Sequence, residues 1–329
     1  MKRAIWLMAA ALPLAAQPKL LINAQVQTHS AAAGLESQFK ALLAAQPQPA
    51  WIGYSVPSVR TYNLGCDYVR DGFTQPGVVH LEPPDHAVIL FRVEANTLNR
   101  IRTLSPDCEI DAGGVPVHWL TDVQPAQSVA LLVSLMPERD RVGDSPVNAI
   151  AQHADPAADQ ALERFLAPNQ PESLRLRAAS ALGSARGRHG FDVLKKVIAG
   201  DPDERVRERA VSALSSSKEP DAVDLLTSIA RTDTSARMRQ QAVSALSRKP
   251  GPAIVATLTK VIETDPDLQV KRHAVSALNQ LPDGAGVPLL IQMVRSTQTA
   301  ADVRKQAMTT LQQSRDPRAV AFFEDVLKH

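Results

Sequence analysis

The sequence predicts a mainly α chain: a C-terminal α-α superhelix of stacked helix pairs, preceded by a small N-terminal α+β domain of antiparallel strands. Two observations predict the superhelix. A short motif closing on leucine recurs at a fixed period through the second half of the chain, and each copy is accompanied by a second stretch with an amphipathic, bulky apolar stripe. A third observation predicts the α+β domain. Between residues 50 and 123, branched and aromatic residues fall in short runs separated by turn residues.

The recurring motif reads Arg177-Ala178-Ala179-Ser180-Ala181-Leu182, then Arg209-Ala210-Val211-Ser212-Ala213-Leu214, Gln241-Ala242-Val243-Ser244-Ala245-Leu246 and His273-Ala274-Val275-Ser276-Ala277-Leu278. The closing leucines are 32 residues apart, and a fifth copy, Gln306 to Leu311, follows at 33. The companion helix carries Val193, Leu194, Val197 and Ile198 in one unit and Leu225, Leu226 and Ile229 in the next. Asp201-Pro202 and Asp265-Pro266 separate the two helices, because the residue before proline is pushed away from helical geometry. One such pair cannot bury both its faces, so stability has to come from stacking.

The segment Asp203-Glu204-Arg205-Val206-Arg207-Glu208-Arg209-Ala210-Val211-Ser212-Ala213-Leu214 resembles the second half of a HEAT repeat, in the short form also seen in phycobilisome-lyase-like repeats. The whole arrangement is similar to exported bacterial HEAT-repeat proteins. The resemblance covers roughly residues 145–329. It implies a HEAT-like solenoid and is nearly silent on activity, since such folds serve many roles. The lyase-like members would add chromophore attachment, but the predicted solenoid contains no cysteine.

The same resemblance gives meaning to a row of cations at Arg175, Arg207, Arg239, Lys271 and Arg304. Asp201, Asp233 and Asp265 each stand six residues before a member of that row. In HEAT repeats such residues form an Asp/Arg ladder that pairs between adjacent units. The rival reading is a basic strip that binds phosphate or an acidic partner. Asn169 and Gln298 stand at the Asp position of the outer units, where pairing is expected to be weaker.

The chain begins with Lys2 and Arg3, an apolar run from Ala4 to Leu14, and small residues at Ala15 and Ala16. This is the pattern of a signal peptide over residues 1–16, with periplasmic or secreted location as its consequence. The alternative is a buried N-terminal helix. A polar stretch over 17–33 reads as poorly ordered. No cysteine near the cleavage site suggests a lipid anchor, and no later segment has 18 uninterrupted apolar residues, so no stable membrane anchor is expected. With 36 Lys and Arg against 34 Asp and Glu, there is no global field to draw in nucleic acid.

The α+β domain is placed at 34–136. Leu35, Phe39, Leu42 and Leu43 mark a helix that Pro47 and Pro49 terminate. Strands follow at Trp51–Val59, Ala87–Val93, Leu98–Leu104 and Val115–Leu120, with turn chemistry at Asp111-Ala112-Gly113-Gly114. A helix then starts near Pro125 and buries Val129, Leu132, Val133 and Met136. The charged segment 137–144 reads as a linker, with the solenoid running from 145 to 329.

Only two cysteines occur, Cys66 and Cys108. An even count in an exported chain favours a disulfide, worth about 4 kcal/mol for a loop of this length. The alternative is two buried thiols. His80, Glu82, Asp85 and His86 cluster around Pro83-Pro84 and are weak candidates for a Zn²⁺ site, lacking any recognised ligand spacing. Asp107, Glu109 and Asp111 alternate beside Cys108, either as an acidic, Ca²⁺-binding cleft or as a solvated strand face. His118, beside Trp119, reads as a half-buried strand residue. No nucleophile elbow, zinc-protease helix, phosphate-binding lysine loop or dinucleotide fingerprint is present.

These features favour a non-enzymatic binding or scaffold protein that uses its solenoid for protein-protein interaction, without a cofactor. The alternative is a hydrolase-type or metal-dependent enzyme with its site in the α+β domain. For that reading, His80, His86, Asp107 and Glu109 would have to converge in one concave pocket.

Overall fold

The computed structural model describes residues 21–59, 66, 69–70, 73–74, 84–136 and 146–327. Contacts divide the chain into two units, residues 1–161 and 162–329.

The first unit contains β1 (Leu21–Ile22), β2 (Gln25–Ser30), α1 (Leu35–Ala44), β3 (Ala50–Pro57), β4 (Val69–Arg70), β5 (Phe73–Thr74), β6 (His86–Glu94), β7 (Thr97–Leu104), β8 (Ile110–Asp111), β9 (Pro116–Thr121), α2 (Pro125–Ser134) and α3 (Pro146–Gln152). Five strands form one sheet in the order β2-β9-β3-β6-β7. The β3–β6–β7 part is antiparallel, while β9 joins β3, and β2 joins β9, in parallel. Two further pairs, β1–β8 and β4–β5, stand apart from it.

The run Ala87–Val93 is almost continuously apolar because both faces of β6 are covered. On one face Ile52 lies opposite Phe91 and Tyr54 opposite Ile89. There Phe39 of α1 meets Phe91 edge-on, with ring centroids 4.9 Å apart. On the other face Val88, Leu90 and Trp119 form a cluster with Trp51, Leu104 and Ile110. The β6–β7 hairpin turns through Ala95 and Asn96, both left-handed at φ 50° and 58°, which matches the twist of a two-residue hairpin.

Two boundaries differ from those read in the sequence. The described part of 17–33 is not poorly ordered: it holds β1 and β2. Gln25–Ser30 lacks an apolar alternation because most of its side chains are exposed, and its place is fixed by main-chain pairing with β9. The helix at 146–152, assigned to the solenoid from sequence, packs in the first unit. The Val59 amide donates to the Gln152 carbonyl at 2.8 Å, the Ala154 amide donates to the Pro57 carbonyl at 3.0 Å, and Ser58 bridges His153.

α4 (Pro156–Leu166) leads into the second unit, which alternates two helix types. The first type comprises α6 (Gly187–Gly200), α8 (Asp221–Thr232), α10 (Pro252–Thr264), α12 (Val287–Arg295) and α14 (Pro317–Val326). The second, carrying the repeated motif, comprises α5 (Glu172–Ala185), α7 (Glu204–Ala213), α9 (Ala236–Leu246), α11 (Leu268–Leu278) and α13 (Ala301–Gln312). Motif helices pack on one another in sequence, α5 on α7, α7 on α9, α9 on α11 and α11 on α13. Their alanines permit the close approach, and the closing Leu182, Leu214, Leu246 and Leu278 are all 0% exposed.

Each two-helix unit is punctuated by polar side chains. Asp201, Asp233 and Asp265 leave the helix in extended geometry and accept the amide two residues ahead, at 2.9, 2.8 and 2.8 Å. Asp203, Ser235 and Asp267 then cap α7, α9 and α11 by accepting amides of their first turns. Gly190 and Gly286 let the next helix start against the last one: a Cβ there would lie 2.1 and 2.2 Å from the carbonyl oxygens of Leu182 and Leu278.

Candidate functional site

The cation row at Arg175, Arg207, Arg239, Lys271 and Arg304 proves to have one constant task. Every member donates to a carbonyl at the end of the preceding companion helix. Arg175 Nε reaches Leu166 O at 3.0 Å and Arg239 Nη1 reaches Asp233 O at 2.9 Å. Arg207 Nη1 bonds Asp201 O, Lys271 Nζ bonds Glu263 O at 3.1 Å, and Arg304 Nη1 bonds Ser296 O at 3.3 Å. A helix C-terminus leaves carbonyls unpaired and carries partial negative charge, so a cation satisfies both.

Two members also pair with the aspartate of the next unit. Arg239 forks onto Asp265, with Nε–Oδ2 at 2.7 Å and Nη2–Oδ1 at 2.9 Å, and both side chains are buried. Hydrogen bonding to Asp265 raises the Arg239 pKa further above its ordinary value, against the opposing effect of burial. Arg175 pairs with Asp201, also buried. The Asp233 carboxylate instead accepts the Ser235 amide, and its contact with Arg239 runs through its main-chain carbonyl. Among the described residues Lys271, which has no planar fork, makes only its carbonyl contact on the exposed side.

Other polar rungs cross between motif helices. His273 Nε2 lies 2.6 Å from Ser244 Oγ, and Gln306 Nε2 donates to Ser276 Oγ at 3.1 Å. Burial lowers the His273 pKa. On the surface Arg205 pairs with Glu172, Arg188 with Asp221, Arg272 with Asp302 and Arg295 with Asp325.

In the first unit Cys66 and Cys108 form a disulfide, with Cα atoms 5.4 Å apart. It borders a cavity of about 230 Å³ that also meets Trp51, Leu90, Arg102, Glu109 and Asp111. Of the three alternating acidic residues, Glu109 and Asp111 line this cavity and Asp107 is not among its lining residues. Asp111 accepts Asn23 Nδ2 at 3.1 Å and the Gly113 amide at 2.8 Å, so it fastens a turn. Asp107 sits 3.4 Å from Ser105 Oγ. His80 and Glu82 lie outside the described residues. Asp85 and His86 pair at 2.9 Å in an exposed position at the start of β6. Among the described residues no group of three or more His, Cys, Asp or Glu is placed to hold a metal.

Sequence reasoning missed two histidine clusters. Tyr54, Ser128 and His153 form a buried chain: Ser128 Oγ lies 2.8 Å from both Tyr54 OH and His153 Nε2, and His153 Nδ1 lies 2.8 Å from the Ala149 carbonyl. A carbonyl only accepts, so Nδ1 carries the proton and, in the neutral ring, Nε2 accepts from Ser128. All three residues are fully buried. Burial pushes the Tyr54 phenol well above its ordinary value. The second cluster joins His29, His118 and Gln46. His118 is buried rather than half-buried, 5% exposed. Its pKa is lowered by burial and then by His29. These residues come from positions far apart in sequence, and only the buried placement of polar side chains marks them.

No curated protein matches the sequence. Among solved structures, human deoxyhypusine hydroxylase in complex with glycerol is similar at 18% identity and TM-score 0.27, over 62% of this chain and 74% of that one. The complex of CpcE and CpcF of phycocyanin lyase from Nostoc sp. PCC7120 is similar at 19% identity and TM-score 0.32, over 58% and 77%. Neither similarity bears on activity. The model of HEAT repeats matches residues 161–247 and 255–329, which are the helices joined by the cation row. The C-terminal region of this chain belongs to the HEAT-repeat family.

Proposed function

We propose that this chain is an exported, non-enzymatic scaffold whose HEAT solenoid presents an extended surface to a protein partner. The observation that carries the reading is the regular stack itself. Five motif helices pack in register over residues 172–312, with a closed apolar core and polar rungs between units. A stack of this kind leaves long rows of side chains outside the core, and that is what solenoids use for recognition. No described helix is long and apolar enough to cross a membrane. The signal-like residues 1–16 support export, and the Cys66–Cys108 bridge suits an oxidising compartment.

Two experiments test the reading. Cross-linking and affinity capture from a native periplasmic or secreted fraction should recover a partner held by the solenoid, and deletion of the solenoid should abolish capture. Recovery of nothing above background, or capture indifferent to the deletion, would refute the scaffold. Mass spectrometry of the protein from its host should find a new N-terminus near Gln17, and an intact Met1 on the functional protein would end the export part.

A further inference from the structure

His29 and His118 stand on neighbouring parallel strands, β2 and β9, where Gln27 is opposite His118 and His29 opposite Leu120. Both imidazoles therefore project from the same face. Their nitrogens, His29 Nε2 and His118 Nδ1, are 3.1 Å apart, with ring centroids at 5.2 Å and planes inclined by 42°. We propose that this pair is a binding site for a divalent transition-metal ion of the Zn²⁺ or Cu²⁺ type.

The spacing fits. With metal–nitrogen bonds of about 2.05 Å, two cis imidazole nitrogens stand about 2.9 Å apart at a right angle and about 3.3 Å apart at the tetrahedral angle. The observed separation falls between these limits. The second nitrogen of His118, Nε2, accepts from Gln46 Nε2 at 2.8 Å, and turning that amide over brings its oxygen to the same place. With the amide oxygen turned toward it, Nε2 keeps the ring proton and Nδ1 keeps a lone pair facing His29. An outer hydrogen bond of this kind fixes the tautomer of a metal-binding histidine. His29 is only partly buried and lies on β2, the edge strand, so an ion has access from that side.

The described residues supply no third His, Cys, Asp or Glu to complete a ligand set. Water would fill the remaining positions, which makes the ion exchangeable rather than structural.

The test is a calorimetric titration of the chelator-stripped protein with Zn²⁺ and with Cu²⁺. One equivalent should bind at least tenfold more tightly to the wild type than to His29→Ala. That substitution removes a partly exposed side chain on an edge strand, and circular dichroism checks that the variant is folded. His86→Ala, at the start of β6, should bind like the wild type. Bound Cu²⁺ should show nitrogen hyperfine coupling from two imidazoles, and from fewer in His29→Ala. Equal affinity in the wild type and His29→Ala, or no stoichiometric binding of either ion, would overturn the proposal and leave the pair as a hydrogen bond within the sheet.

Discussion

Replacing Arg239 by alanine removes the fork onto Asp265 and the contacts to the Asp233 and Thr234 carbonyls together. The Asp265 side chain, 3% exposed, is left as a buried carboxylate without its cation. Removing one member of a buried pair costs about 3–5 kcal/mol. Asp265 keeps the Asp267 amide at 2.8 Å, so the low end, about 3 kcal/mol, is expected. For a unit of this size, about 2–4 °C is lost per kcal/mol, which places the fall in Tm at about 6–12 °C. Asp265→Ala leaves the arginine its carbonyl partners and should cost about 2 kcal/mol. The double variant should lose less than the sum, with a coupling energy of about 1.5 kcal/mol or more. Arg207→Ala provides the contrast. Arg207 is less buried and has the carbonyl contact without the fork, so about 1 kcal/mol is expected. Thermal melts followed by far-UV circular dichroism give all four values. A coupling energy near zero, or an Arg207→Ala loss equal to that of Arg239→Ala, would refute the view that the fork locks adjacent repeats.

Leu246→Ala, in the interior of the stack, should cost about 2–5 kcal/mol in urea unfolding, and Leu311→Ala, nearer its end, measurably less; equal small losses would count against a solenoid core. Cys66→Ser with Cys108→Ser opens a loop of 42 residues and should lower stability of the first unit by about 4 kcal/mol, read by denaturant unfolding of the oxidised and doubly substituted chains. His118 and His273 both have folded pKa values below the ordinary 6.5. Below that value the unfolded chain takes up protons that the folded chain refuses. Stability should therefore be full above about pH 6.5 and fall as the pH drops toward the folded values. Unfolding free energies at neutral and mildly acidic pH should show this slope. It should be shallower in His118→Gln, and an unchanged slope would remove His118 from the account.

The legible parts of the fold are those where volume and period coincide. Leu182 to Leu278 recur every 32 residues because each fills the same buried position. Ala87–Val93 announces a covered strand through its apolar content alone. β2 could not be read this way, since Gln25–Ser30 is tied by main-chain bonds and shows most of its side chains to water. The pattern of 146–152 reads as solenoid although the helix packs in the first unit, because its apolar residues fit a repeat as well as they fit that unit. Asp107, Glu109 and Asp111 alternate as a strand face should, but Asp107 lies in a turn closed by the Cys108 amide on the Ser105 carbonyl and only Ile110–Asp111 is strand, so alternation does not define one surface there. The Tyr54–Ser128–His153 chain spans separations of 74 and 25 residues and has no local signature.

The cation row shows how a sequence pattern can be read correctly in place and incompletely in purpose. Its spacing from the aspartates suggests side-chain pairing, yet the contact common to all five members is with helix-terminal carbonyls. That contact depends on where the companion helix stops, which the aspartate sets by taking the amide two residues ahead. The aspartate and the cation thus act on the same turn from two sides, even where they do not touch each other. Arg175 and Arg239 lie buried within it, their charge already committed. A partner that binds the solenoid must therefore read other side chains. Arg209 and Arg237 are exposed on the motif helices and have no carboxylate in ion-pair range among the described residues. Reversing their charge should alter recognition while leaving Tm nearly unchanged, whereas substitution of the buried Arg175 or Arg239 acts first on the stack.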